Sequence, residues 1–315
     1  MNKYPESTFT FLNKPEYITK HQWGPDALPY VSIICNTYNH EKFIEYAIKG
    51  FLSQKTTFPV EILIHDDAST DSTQEIIHRY EIQHSNLFKP IYQTDNQKSQ
   101  GIKPGLTYQL PRARGKFIAI CEGDDYWTDQ YKLYKQVIFL EKNPKISSCF
   151  HNVIVRDEVK NENHPFNTWK SKKLLSIQDI TKSNFIATCS VVYKNQFIIP
   201  SEFHLLEATD WGLHILNAEN GDFVFFPDFM GVYRKHFCSS WSSQNEKLRV
   251  LRTINLMIQL NNFTLNKYHN NFYGGILELL INYDIELDDL KFHKNFLSME
   301  CHVLILNFLK IKHKI

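Results

Sequence analysis

With 35 Lys and Arg set against 34 Asp and Glu over 315 residues, the chain carries a formal charge of +1 and has no basic field for general nucleic-acid binding. Hydrophobic residues at 43% and aromatic residues at 14% are ample for a packed core, as one large domain or a catalytic domain with an appendage. Cys35, Cys121, Cys149, Cys189, Cys238 and Cys301 include no C-x-x-C pair and read as buried, reduced thiols of a cytosolic protein.

Residues 1–29 are polar and aromatic, punctuated by Pro5, Pro15, Pro25 and Pro29, and predict an irregular lead-in. Met1 to Glu6 lack the apolar stretch of a signal peptide, and no apolar run approaches transmembrane length. The first strand is expected at 31–36, leading into Thr37-Tyr38-Asn39. Phe43, Ile44, Ala47, Ile48, Phe51 and Leu52 then repeat at three-and-four spacing and predict an amphipathic helix. The second strand, 60–65, runs directly into Asp66-Asp67-Ala68-Ser69-Thr70-Asp71. Asp71 or Ser72 can cap the next helix, with Gln74 or Glu75 closing a capping box and Ile76, Ile77 and Tyr80 facing inward.

A short third strand is expected at 89–92, a helix at 105–114 kinked at Pro111, and a fourth strand at 116–121. This alternation predicts a doubly wound, mostly parallel α/β sheet with flanking helices. Next, a helix to Lys142 is expected to bury Tyr131, Tyr134, Val137 and Ile138, followed by strands at 146–155 and 186–193 around an exposed excursion at 156–175. Glu207-Ala208-Thr209-Asp210 precedes a helix, two strands are expected at 223–226 and 229–234, and a helical appendage from 244 on has Val250, Leu251, Ile254, Met257 and Ile258 on one face. The domain reading is a lead-in 1–29, a main domain 30–243 divided at 127 into 30–127 and 128–243, and the appendage 244–315.

The fourth strand ends in Cys121-Glu122-Gly123-Asp124-Asp125-Tyr126-Trp127. Three carboxylates at a strand end repel one another unless a cation lies among them, and hard oxygen ligands suit Mg²⁺ or Mn²⁺, whose shell phosphate oxygens commonly complete. Open α/β sheets bind ligands outside the carboxyl ends of their strands, and the acids after the second and fourth strands share that edge. These residues point to a divalent metal holding a phosphorylated ligand; a solvated acidic turn is the alternative reading.

Four blocks in order, VSIICNTYNHEKF from Val31, EILIHDDASTDST from Glu61, CEGDDYW from Cys121 and Thr209 to Trp241, resemble the family 2 glycosyltransferases with a GT-A fold. The likeness spans residues 28–242. It implies a metal-dependent, inverting transfer of a sugar from a nucleotide donor, a UDP-sugar, to a glycan or lipid-linked acceptor in surface polysaccharide or glycoconjugate biosynthesis. Cys121 to Trp127 resembles the family's D-x-D metal motif, with Glu122 in place of the first Asp, which leaves open whether Glu122 reaches the metal or only the ribose.

The resemblance implies nucleotide contacts at Thr37, Tyr38, Asp67 and Glu122, with Asp66 second to Asp67. It implies Mn²⁺ or Mg²⁺ at Asp124 and His236, with Asp125 as helper or as a turn cap. Diphosphate contacts are implied at Arg234 or Lys235, with Lys98 and Lys103 as further contacts or as a solvated loop; Trp241 lies in the same block. Asp210 is implied as the general base, against the plain reading of a helix cap before Trp211.

Sugar-phosphate nucleotidyl transfer is the rival chemistry, but it calls for a Gly-rich phosphate loop, and Asn36-Thr37-Tyr38-Asn39-His40-Glu41-Lys42 has no glycine. A non-catalytic nucleotide-sugar-binding protein is the other rival. Alternating apolar and basic residues from Phe308 to Ile315 suit peripheral contact with the inner face of a membrane. Self-association is expected through the C-terminal helices.

Overall fold

The computed structural model describes residues 12–23, 27–196, 198–237, 245–286, 288–289 and 298–312. The expected readings at 1–11, at Trp241, at the 243 boundary and at 313–315 fall outside these residues. After a two-residue strand β1 (Glu16–Tyr17), the apolar run forms β2 (Val31–Thr37), and α1 (Ile44–Leu52) turns Ile44, Ala47, Ile48 and Phe51 into the core. Another short strand, β3 (Lys55–Thr56), pairs antiparallel with β1. β4 (Val60–Asp66), buried along its whole length, lies parallel to β2 with Val31 beside Val60 and Thr37 beside Asp66.

α2 (Thr73–Gln83) carries the chain to β5 (Ile91–Tyr92), parallel to β4. A π-helical turn at Gly105–Gln109 and α3 (Leu110–Arg112) then lead to β6 (Phe117–Ile120), parallel to β2 on its other side. Such a wide turn in place of a regular 105–114 helix lets buried Gln109 donate to the carbonyls of both Cys35 and Leu63, tying β2 to β4.

Past β6 the pairing turns antiparallel. β7 (Tyr126–Trp127) and α4 (Lys132–Lys142) precede a long β8 (Ile146–Asp157), which hairpins into β9 (Glu162–Pro165). β10 (Lys173–Leu175), α5 (Ile177–Lys182), β11 (Val192–Lys194), α6 (Thr209–Ala218) and β12 (Asp222–Lys235) follow. Among the described residues the sheet has ten strands, eight in the order β10-β12-β8-β11-β6-β2-β4-β5, with β7 on β12 and β9 on β8. The α/β class stands, and its parallel part is the β6-β2-β4-β5 half.

Several local expectations are corrected. The excursion 156–175 holds two strands, because Asp157 accepts from the amides of Val159 and Lys160 and makes a tight turn. Of 186–193 only the end pairs: Thr188–Ser190 is a 3₁₀ turn, with the Ser190 hydroxyl on the Ala187 carbonyl and the Trp127 indole on that of Cys189. The strands at 223–226 and 229–234 are one, β12, with Pro227 between the segments paired with β10 and β7.

α4 buries Lys132, Leu133, Gln136, Val137 and Leu140, and leaves Tyr131, Tyr134 and Ile138 half-buried. Gln136 can go inside because it donates to the carbonyls of Cys149 and Ser190, and the Lys132 ammonium lies 3.9 Å from the Trp127 ring centre. No capping box closes α2: Asp71 takes the Thr73 amide at 3.0 Å, while Gln74 turns to Asp66 at 2.6 Å.

The chain forms two compact units, one of residues up to Leu175 with Ile186–Ile199 and Leu216–Arg234, the other of Ser176–Phe185, Pro200–Ile215 and residues from Lys235 on. The first holds the sheet and a continuous core around Ile33, Ile62, Phe117 and Trp127. The second contains α5 with α7 (Glu246–Phe263), α8 (His269–Asn282) and α9 (Met299–Lys312). There α8 crosses α5 so closely that a Cβ on Gly275 would lie 2.1 Å from the Lys182 carbonyl oxygen. The five described cysteines are all buried and free of disulfides. Among the described residues no helix is long and apolar enough to cross a membrane.

Candidate active site

The site is built where β2, β4 and β6 end side by side. The β2–β6 register continues beyond the strands, with the amide of Cys121 on the Ile34 carbonyl and that of Gly123 on Asn36, both at 3.0 Å. On the other flank, the Asp67 amide donates to the Thr37 carbonyl at 2.9 Å. The acidic turn after β6 and the paired acids after β4 thus flank the end of β2. Gly123 sits so close that a Cβ there would lie 2.7 Å from Thr37 Oγ1 and 3.0 Å from His40 Nδ1.

Each acid has a different task. Half-buried Glu122 accepts from the Asn36 amide at 3.0 Å and from the Asn36 side chain at 3.3 Å. Burial first, then the Asp124 charge, push its carboxyl up to about 7, with the Lys98 charge among the opposing influences. Asp125 is buried and its Oδ1 accepts from the Arg234 amide at 2.8 Å; burial and Asp124 hold its carboxyl well above the usual range. Asp125 therefore ties β12 to the acidic turn and caps no helix.

Asp124 keeps a 20% exposed side chain, and its Oδ2 lies 4.0 Å from His40 Nε2. A carboxylate beside an imidazole, next to two acids whose ionisation it opposes, is a donor set that a hard divalent cation would relieve. The residues therefore fit the expected metal.

Arg234 is 4% exposed, donates to the Asp124 carbonyl at 2.9 Å, and lies over the rings of Phe43, Tyr46 and Tyr126 at 5.2, 4.7 and 4.4 Å. Its Nε is 3.5 Å from Glu158. Buried Asp67 accepts from the amides of Gln97 and Lys98 at 2.8 and 3.0 Å, fixing the 95–98 loop beside the site. Asp66 is taken up by Ser69 and Gln74. Thr37 is buried and Tyr38 is 43% exposed; Lys103 is half-buried and Lys98 exposed.

His236 is buried and directly follows the last residue of β12. Asp210 stands half-buried in the first turn of α6, one turn before His214, which burial pushes down to about 4 against the pull of Asp210.

His40 and Asn36 are the residues that sequence reasoning missed. In the sequence the loop stands out only for lacking glycine, and a lone histidine there has no periodicity to reveal it. Its aim comes from a second loop: the His40 amide donates to Thr73 Oγ1, the Asn39 amide to Ser69 Oγ, and the Glu41 amide to Asp71. Asn39, at φ 54°, takes the left-handed turn that asparagine tolerates.

The sequence model of Glycosyl transferase family 2 matches residues 32–198. A Mycobacterium tuberculosis protein of uncharacterised function is 40% identical over 215 residues, 68% of this chain and 61% of that one, so the chain spans about three-fifths of that relative's length. The Escherichia coli UDP-Glc:alpha-D-GlcNAc-diphosphoundecaprenol beta-1,3-glucosyltransferase WfaP is 33% identical over 129 residues, 41% of this chain and 48% of the enzyme. Among solved structures, Staphylococcus aureus TarS 1-349 with UDP-GlcNAc has a similar fold, with TM-score 0.62, 18% identity and coverage of 84% and 79%. The Pyrobaculum calidifontis mannosyltransferase PcManGT with GDP-Man and Mn²⁺ gives 0.56, 16% identity and coverage of 93% and 84%.

Proposed function

The chain belongs to Glycosyl transferase family 2 and has a GT-A fold, and from that premise we propose that it transfers a sugar, with inversion, from a UDP-sugar to a hydroxyl of a glycan or lipid-linked acceptor. The observation that carries this reading is the acidic turn Glu122–Asp125 at the carboxyl end of a parallel strand, flanked by Thr37 and Asp67. It is supported by the nucleotide sugars held by TarS and PcManGT and by the donor in the name of WfaP.

Thr37 and the exposed ring of Tyr38 take the base, Asp67 the base or ribose, and Glu122 the ribose. Asp67 has lone pairs beyond the two amides it already accepts, since an ionised carboxylate offers about four acceptor sites. Arg234 and Lys103 meet the diphosphate. Asp124 and His236 hold Mn²⁺ or Mg²⁺, which supplies Lewis-acid stabilisation of the leaving diphosphate. Mn²⁺ in PcManGT supports this choice of ion.

Asp210 takes the proton of the acceptor hydroxyl as its oxygen bonds to the anomeric carbon. The bond from that carbon to the diphosphate breaks, and the nucleoside diphosphate leaves. This reading is supported by the position of Asp210, half-buried in the first turn of a helix. The setting we propose is surface polysaccharide or glycoconjugate assembly in the cytoplasm, at the inner face of a membrane. The test is a screen of nucleotide sugars for Mn²⁺-dependent thermal shift and for donor turnover. A UDP-sugar that stabilises the chain only with metal and yields free UDP is the expected result; no donor binding with either ion would end the reading.

A further inference from the structure

We propose that His40 is a ligand of the divalent ion, and that its nitrogen makes the site select Mn²⁺ over Mg²⁺. The inference rests on the metal site proposed above, to which it adds a donor from the first loop and a preference between ions.

His40 Nε2 and Asp124 Oδ2 lie 4.0 Å apart. That is too long for a hydrogen bond, whose heavy atoms lie about 2.7–3.2 Å apart. It does suit two donors on one ion. With each donor about 2.1 Å from the metal, a pair on opposite sides is separated by about 4.2 Å, and every other arrangement is shorter. His40 and Asp124 each offer one ligand atom, a nitrogen and an oxygen.

The imidazole is also held in place by the fold. The His40 amide donates to Thr73 Oγ1 at 2.8 Å, and its carbonyl accepts from the amides of Phe43 and Ile44, both at 2.8 Å. Its ring meets the Phe43 ring edge-on, with centres 6.2 Å apart. On the opposite side Gly123 leaves the room, since a Cβ would come within 3.0 Å of Nδ1. A backbone anchored by three hydrogen bonds, with the ring beside Phe43 and Gly123 and its Nε2 toward a carboxylate, needs little reordering to take an ion.

Donor chemistry then decides between ions. Mg²⁺ demands oxygen ligands in near-ideal octahedral geometry and parts with its waters reluctantly, whereas Mn²⁺, though the weakest binder of the first-row series, takes an imidazole nitrogen beside oxygen donors more readily. Mixed nitrogen and oxygen donors therefore shift the balance toward Mn²⁺.

The test uses the full chain with UDP and Mn²⁺, reading bound metal by electron paramagnetic resonance and the ion preference by Mg²⁺ competition. His40→Gln puts an oxygen donor where the nitrogen was, and His40→Ala removes the donor; both are checked for an unchanged melting curve. We expect each to weaken Mn²⁺ about tenfold or more, to leave Mg²⁺ nearly unchanged in the Gln variant, and to reduce nitrogen hyperfine coupling in pulsed spectra. Wild type that binds Mn²⁺ while both variants keep its affinity, preference and nitrogen coupling would overturn the role of His40 alone. Failure of the wild type itself to bind Mn²⁺ with UDP would overturn this inference together with the metal part of the function. UDP binding without metal would show that the nucleotide reading survives.

Discussion

Arg234 grips two consecutive acids at once, its backbone amide on Asp125 Oδ1 at 2.8 Å and its guanidinium on the Asp124 carbonyl at 2.9 Å. The guanidinium is buried over the rings of Phe43, Tyr46 and Tyr126, so the end of β12 braces the acidic turn against the start of α1 and β7. Planarity and stacking let arginine do this where lysine cannot.

Arg234→Lys should therefore cost about 2 kcal/mol or more of stability in urea unfolding, because it keeps a buried charge but loses the stack and the fork. The same variant should weaken nucleotide binding. Retention of both stability and binding would show that the charge alone suffices.

Asp124→Asn should abolish metal-dependent nucleotide binding and transfer with little change in melting temperature. Its side chain is partly exposed at a strand end, and the main-chain carbonyl that Arg234 uses is untouched. Full activity of this variant in chelator would sink the metal assignment.

The pH dependence of the metal-free protein should carry the mark of Glu122. Its carboxyl is raised to about 7 in the fold from 4.5, so the folded chain keeps a proton that the unfolded chain releases between those values. This contribution to stability is full below the lower value and is lost as pH rises through the upper one. The melting temperature of the metal-free protein should therefore fall as pH rises through that window. Glu122→Gln should flatten the slope; an equal slope in the variant would assign it elsewhere.

Asp210→Asn should slow transfer about a hundredfold or more, the scale of positioned proton transfer, while donor binding stays near normal. Asparagine caps helices about as well as aspartate, so the helix start is preserved. Asp67→Ala should do the reverse in binding, weakening the donor by releasing the 95–98 loop. Rates and donor affinities for both variants on matched preparations decide it, and equal loss of affinity in the two would erase the division of roles.

Sequence alone determined the parallel half of the fold and the place of the site. The runs 31–36, 60–65 and 116–121 are apolar on both faces, and strands so composed find shelter only in the middle of a sheet covered by helices. Their ends had to come together, and the acids at 66–67 and 122–125 had to come with them. Local turn chemistry was less legible: Thr188–Ser190 has strand-like composition, yet side-chain and indole bonds to nearby carbonyls take it out of the ladder. Tertiary structure alone decided the division of labour among the acids. Asp124 and Asp125 are adjacent and identical in type, but Asp125 points at the β12 backbone and Asp124 toward His40, a difference set by a strand 109 residues further on. His40 itself depends on contacts with Ser69 and Thr73, about 30 residues away, which no local pattern encodes.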